Sequence, residues 1–302
     1  MKNALCERRV SAVNCKGIHI VNGEKIVCGK EGTNQDFYKV ETKNHGVIYM
    51  CPDCYHKVES YYTENGLKAN QEKKHGFTYS FEFEMTNSEA PYTRTLQYNG
   101  FLPTHDSTVS IEYKSPIYQS LNGLRKLFRS LNNELDNSYF EDEAGTHCNI
   151  GHVDYINSDT IELIGAFYHE LFQEMSDWLK ANPYACKEIF GRPLNRWASP
   201  IDNYTSPRSH SNLINIEHST HLEFRMCKFI NENQYIDCVQ LNTKIVKAII
   251  KNFLQKVDEP FNEKKFKDRY DFLTYKARYT SNKIVQLLEK ECKAKNIPFY
   301  EI

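Results

Sequence analysis

Between Phe77 and Met85 the chain alternates without a fault. Phe77, Tyr79, Phe81, Phe83 and Met85 are large and apolar, and Thr78, Ser80, Glu82 and Glu84 lie between them. Side chains of a strand point to opposite faces with period two, so one face carries the aromatics into a core while Glu82 and Glu84 project together from the other. Two like charges roughly 7 Å apart along a strand repel. On a half-buried sheet they need a counter-charge, and a divalent cation is the simplest one because hard cations take oxygen ligands. The bland alternative is a strand with one solvated face.

Three later segments repeat the pattern. Val109-Ser110-Ile111-Glu112-Tyr113 puts Glu112 on a polar side, and Ser115-Pro116 ends it. In Gly145 to Gly151, His147, Asn149 and Gly151 oppose Cys148 and Ile150. From His221 to Met226, Leu222, Phe224 and Met226 turn inward, opposite Glu223 and Arg225. One sheet with a charged concave surface accounts for all four. Helical spacing fills the gaps: Ile117 to Leu135, Ser158 through Phe167 to Leu179, Asn233 past Phe253, and about Tyr270 to Lys295. The pattern predicts an α+β domain over residues 75–302, an antiparallel sheet with helices packed on one face.

Residues 1–62 read as a separate small module. Cys51-Pro52-Asp53-Cys54 is a knuckle in which a tight turn lets two thiolates grip one zinc ion. Asn22-Gly23 between Ile18–Val21 and Glu24–Val27 signals a hairpin with a two-residue turn. Pairing outward sets Gly17 opposite Cys28 and leaves Cys15 near the open end. Cys15, Cys28, Cys51 and Cys54 then complete a four-thiolate, zinc-ribbon-like site, with Cys6 the competing fourth ligand and His19 a weaker one. So short a module has little core, and the metal would supply much of its folding energy. Tyr61 to Gly76 is a polar connection.

Composition narrows the partners. The 302 residues carry a formal net charge of -1, which gives no global electrostatic case for nucleic acid or an anionic membrane. No apolar stretch approaches the ~18 residues of a membrane span, and no signal-peptide core follows Met1. The expectation is a cytoplasmic protein with reduced thiols, so clustered cysteines read as metal ligands before disulfides. Cys148, Cys186, Cys227, Cys238 and Cys292 read as buried small residues.

Clustered carboxylates with a histidine and an arginine suit magnesium–nucleotide chemistry: carboxylates hold the metal, the metal bridges phosphates, and arginine neutralises the transferring phosphoryl group. No P-loop, GxGxxG, GxSxG or HExxH motif offers another scheme. Taken in order, Glu82-Phe83-Glu84, Glu112-Tyr113-Lys114-Ser115-Pro116, Gly145-Thr146-His147-Cys148-Asn149 and Leu222-Glu223-Phe224-Arg225 resemble the motifs of the amidoligase family, in the carboxylate–amine ligase superfamily of glutamine synthetase and glutamate–cysteine ligase. The resemblance spans about residues 75 to 255. It implies a glutamine synthetase-like catalytic fold and an ATP- and Mg2+-dependent ligase that forms an amide or peptide bond through an acyl-phosphate. Carried over by position, Glu82, Glu84, Glu223 and His147 would ligate Mg2+, and Arg225 would stabilise the transferred phosphoryl. Glu112 would serve metal or incoming amine. Asn149 stands where the family often has a second histidine, and it can still offer a carbonyl or donate to phosphate. Arg208 would hold a substrate carboxylate. In the loop-rich stretch Gly191 to Asn215 only Arg208 and Asn215 match.

The implied partners are small-molecule or peptide carboxylates and amines, with an amidotransferase as a possible companion in the pathway. A second class stays open: a non-catalytic adaptor on a ligase-like scaffold, whose zinc module docks a protein or nucleic acid.

Overall fold

The computed structural model describes residues 12–15, 18–21, 24–33, 38–42, 46–51, 54, 76–85, 101–104, 111–118, 124–125, 128–129, 145–202 and 205–301. Near the N-terminus, three two-stranded antiparallel ladders pair β1 (Ala12–Asn14) with β4 (Glu31–Thr33), β2 (Ile18–Val21) with β3 (Glu24–Val27), and β5 (Tyr38–Thr42) with β6 (Gly46–Met50). Val21 faces Glu24 and Ile18 faces Val27, the register that a two-residue connection imposes. Asn22, Gly23, Gly17 and Cys6 lie outside the described residues.

The largest sheet among the described residues has six strands in the order β11 (Ile214–Asn215), β12 (Leu222–Phe224), β10 (Thr146–His152), β7 (Phe77–Met85), β9 (Ile111–Lys114) and β8 (Leu102–Thr104). Every neighbouring pair is antiparallel. Its apolar face is closed: Phe81, Phe83, Tyr113, Cys148, Ile150, Leu222 and Phe224 are all fully buried. Aromatic edges lock it, with Phe81 at 5.2 Å from Phe128 and 5.7 Å from Tyr235, and Phe83 at 5.3 Å from Phe101. Each such pair adds about 0.5–1.5 kcal/mol beyond its buried area.

Five α-helices are seen among the described residues: α1 (Ser158–Ala166), α2 (Tyr168–Ala181), α3 (Pro183–Phe190), α4 (Glu232–Asn252) and α5 (Arg269–Lys295). Four of the five starts follow capping chemistry. Asn157 accepts from Thr160 N, Asn231 from Gln234 N and Asp268 from Asp271 N, while Pro183 opens α3. Helix α4 lies against the sheet, its Tyr235 hydroxyl donating to the Thr146 carbonyl (3.3 Å). Helix α5 packs across α2 and α4. The fold is therefore mixed α/β, with a helical layer on the sheet's apolar face. No helix among the described residues is long and apolar enough to cross a membrane.

Two expectations need correction. The single helix from Ser158 to Leu179 is broken at Phe167, whose φ of -118° leaves the helical range and whose ring packs 5.4 Å from Phe253. The helix expected from Ile117 begins later. Tyr118 exchanges both backbone hydrogen bonds with Tyr79 (2.7 and 2.8 Å), so Ser115 to Tyr118 runs extended beside β7. Pro116 disfavours a helical conformation at the residue before it, which suits that path. Leu124 and Phe128 further on are helical and buried.

Candidate functional site

Strand register decides which side chains meet on the other face. Strand β10 pairs His147 with Glu82 on β7 and Asn149 with Glu223 on β12, while β9 sets Glu112 opposite Glu84 and Lys114 opposite Glu82. All these side chains therefore share one face. A slip of one residue in any strand would send its contribution into the aromatic core.

His147 sits at the centre. Its Nδ1 lies 2.8 Å from Glu223 Oε1 and 3.5 Å from Glu82 Oε2. Its Nε2 is 3.2 Å from Glu84 Oε1 yet makes no hydrogen bond, because the contact is poorly directed. Arg225 donates through Nη1 to Glu223 Oε1 (2.8 Å) and through Nε to the Trp197 carbonyl (3.1 Å), and its Nη2 stands 3.7 Å from Glu84 Oε1. Glu84 Oε2 accepts the Gly145 N–H at 2.8 Å. Asn149 donates to Glu82 Oε1 at 3.2 Å, which leaves its Oδ1 buried without a partner. Lys114 Nζ reaches Glu82 Oε1 (3.4 Å) and Glu112 Oε2 (3.8 Å).

This is no solvated strand face. Glu82, Glu84, Glu112 and Glu223 are 8%, 4%, 6% and 2% exposed, and His147 is 1% exposed. Buried charges need partners, and here they find one another's counter-ions. Burial alone would raise Glu223, but His147 and Arg225 outweigh it and hold the carboxyl at about 2. Glu84 is lowered against its own burial by His147, Arg225 and the Gly145 N–H, and Glu82 is lowered by His147, Glu112 and Lys114. Burial opposes a proton on His147. The surrounding carboxylates, Glu84 and Glu223 foremost, prevail over Arg225 and raise it well above the usual imidazole value. Lys114 is likewise raised by Glu82 and Glu112 in spite of burial.

One donor atom each from Glu82, Glu112 and His147 lies within 4.8 Å of the others. Two carboxylates and an imidazole nitrogen form a donor set that fits a hard divalent cation. The tight group thus contains Glu112, which the sequence assigned to metal or amine. Glu84 and Glu223 lie beside this group, their oxygens bonded to the Gly145 N–H, Asn215, Arg225 and the histidine, as those of Glu82 are bonded to Asn149 and Lys114.

The structure brings together Glu82, Glu84, Glu112, His147, Asn149, Glu223 and Arg225. It does not bring Arg208, which is exposed and ion-paired to Glu162 of α1. Its loop has no periodicity from which a direction could be read. Two contributors, Lys114 and Arg192, were given no role by the sequence reading, and a third, Asn215, was matched there without one. Lys114 follows Glu112 by two residues, so the same alternation could have found it. Asn215, whose amide donates to Glu223 Oε2 (2.9 Å), lies on a two-residue strand too short to show a face. Arg192 is 2% exposed and so close to Gly145 that a Cβ there would sit 2.6 Å from its Nη2; no spacing in the sequence announces it.

The second cluster joins Cys15, Cys28, Cys51 and Cys54, whose sulfurs all lie within 4.8 Å of one another. Cys28 Sγ is 3.9 Å from Cys51 Sγ. Tetrahedral zinc at ~2.3 Å from each sulfur requires S···S edges of about 3.8 Å. Cys51 N–H donates to Cys15 Sγ (3.2 Å) and Cys54 N–H to the Cys51 carbonyl (3.0 Å), the turn that aims both knuckle thiols inward. Four such cysteines could bind a metal such as zinc. A scan against protein-family models finds no match for this chain, and a search of curated proteins finds none either.

Proposed function

We propose that the chain is an ATP- and Mg2+-dependent carboxylate–amine ligase of the amidoligase type, with a structural zinc ion on its four cysteines. The observation that carries the reading is the convergence of four buried carboxylates from β7, β9 and β12 on one buried histidine and one arginine. A carboxylate oxygen is a poor leaving group until phosphorylated, and phosphoryl transfer needs mainly positioning and charge neutralisation. Glu82, Glu112 and His147 would hold Mg2+, which when bound supplies charge neutralisation for the phosphates. Glu223 and Glu84 fix the Arg225 guanidinium so that its remaining N–H donors can meet a transferring phosphoryl group. Asn149 orients Glu82 through its amide. Asn215 fixes Glu223, so the histidine and arginine are held by one preorganised oxygen.

Internal neutralisation of the cluster by Lys114, Arg225 and a protonated His147 favours a second reading, a scaffold without turnover whose cysteine module docks a partner. One experiment separates them. Mg2+-dependent ATP binding is measured by titration calorimetry for the wild type and for Glu82→Gln, with cooperative unfolding as the control for fold. The ligase reading expects binding in the wild type and a loss of about tenfold or more in the variant. Undiminished binding by Glu82→Gln, or none by the wild type, would overturn it. The substrates are then sought by ADP release across amino acids and amines.

A further inference from the structure

A cavity of about 320 Å3 opens beside the carboxylate cluster, at the end of the same sheet face. Thr78 and Ser80 of β7 and Asn149 and Gly151 of β10 form its floor, and Thr220 and His221 close one side. Asn149 stands between the two regions. Its amide nitrogen is turned to Glu82, which does not line the cavity, and its carbonyl oxygen is buried without a partner. His221 holds Thr220 Oγ1 at 3.1 Å through Nδ1 and leaves a buried Nε2 with no partner. Buried polar atoms are seldom left unpaired, and two on residues that line one cavity mark where a ligand's polar atoms would sit.

The rest of the lining sets the ligand's character. No Lys, Arg, Asp or Glu contributes to it; Ile117, Val153 and Ile156 supply apolar wall, and Tyr79 and His152 complete the lining, burial disfavouring a proton on His152 as on His221. A carboxylate placed there would face the Asn149 oxygen with no cation, and an ammonium would find no carboxylate. Either would be desolvated without a counter-charge. An uncharged amide suits both orphans, its N–H donating to Asn149 Oδ1 and its remaining capacity meeting His221 Nε2. Ser80 precedes Glu82 by two residues on one strand face, so the cavity lies about 7 Å from the reacting centre.

We infer that this cavity holds the far end of the carboxylate substrate, and that this end is an uncharged, hydrogen-bond-donating group such as a primary amide, some 7 Å from the carboxylate that reacts. The inference rests on the ligase reading for what happens at the cluster, but its own test reads binding alone. Three six-carbon acids serve as probes: adipamic acid, adipate and 6-aminohexanoate, matched in length and ending in amide, carboxylate and ammonium. Titration calorimetry in Mg2+ should find adipamic acid bound about tenfold or more tightly than the other two. Ile117→Trp and Val153→Trp, both at half-exposed positions on the rim, should each erase that preference and leave Mg2+ binding unchanged. Equal or tighter binding of either charged probe, no binding of adipamic acid, or a preference that survives both tryptophans would overturn the inference. ADP release with no preference among the probes sinks the cavity assignment alone. The preference without any ATP binding sinks the ligase reading alone.

Discussion

Replacing Glu223 by glutamine tests the claim that one carboxylate organises the cluster. Its Oε1 receives Arg225 Nη1 and His147 Nδ1, each at 2.8 Å, and its Oε2 receives Asn215 Nδ2 at 2.9 Å. Glutamine keeps the shape but offers one accepting oxygen and one NH2 group. With the oxygen kept toward Arg225 and His147, the NH2 group meets the NH2 of Asn215, donor against donor. Asn215 cannot reverse its amide freely, because its Oδ1 already accepts the Glu217 N–H (2.9 Å). Charge-assisted bonds contribute about 1.5–3 kcal/mol each, so weakening two of them costs roughly 3–5 kcal/mol. Linkage gives a consistent figure. Lowering a buried carboxyl from 4.5 to about 2 corresponds to ~3 kcal/mol of stability. That contribution is present above the unfolded value of 4.5 and is lost as pH falls toward 2. In Mg2+-free buffer at neutral pH, Glu223→Gln should therefore lower the main transition by roughly 6–20 °C, at about 2–4 °C per kcal/mol for a domain of this size. Urea midpoints measured from neutral pH down toward pH 3 should show the gap to the wild type narrowing with acidity. A difference below about 1 kcal/mol at neutral pH, or one that does not change with pH, refutes the reasoning.

Three further outcomes follow from the same geometry. His147 has its proton held well above the usual imidazole value, so the proton competes with a cation and Mg2+ affinity should rise through pH 6 to 8, by up to about tenfold per unit. The sign for the metal-free fold is opposite: its gain from the protonated histidine is complete below ~6.5 and fades as pH rises through the raised folded value. A pH-independent Mg2+ affinity would remove His147 from the ligand set. The Cys51→Ser, Cys54→Ser double variant should lose stoichiometric zinc by mass spectrometry while the main transition moves little, and full zinc retention would place the metal elsewhere. Arg208→Ala removes one exposed pair worth under ~1 kcal/mol and should leave ATP binding unchanged, whereas a clear loss would return Arg208 to the site.

Long alternation made β7 legible to the residue, from Phe77 to Met85, because nine positions constrain both face and ends. Helices α4 and α5 were equally legible, each carrying an apolar stripe over more than five turns. The break at Phe167 was hidden because the apolar period of α1 continues into α2; at the break Phe167 packs against Phe253 and Tyr270, contacts that no local period shows. Strands β8 and β11, of three and two residues, are shorter than any window that shows a period. For the site, alternation gave the face that each glutamate shares with His147. It could not give the order of strands. Because β9 adds to β7 on the edge away from β10, Glu112 faces Glu84 and joins the tight group with Glu82 and His147.

Charge balance ties the stability of the cluster to its use. Four buried carboxylates face the cations of Lys114, Arg225 and Arg192, which leaves one negative charge that a proton on His147 cancels. Neutrality explains how so many acids sit inside a fold without tearing it apart. A divalent cation that takes the place of that proton turns the same set of groups positive by one, in a site largely closed to water. Such a site attracts a polyphosphate strongly once metal is present and weakly before. Affinity for ATP should accordingly rise with metal loading, metal affinity should rise with ATP by the same factor, and the histidine proton is the group exchanged.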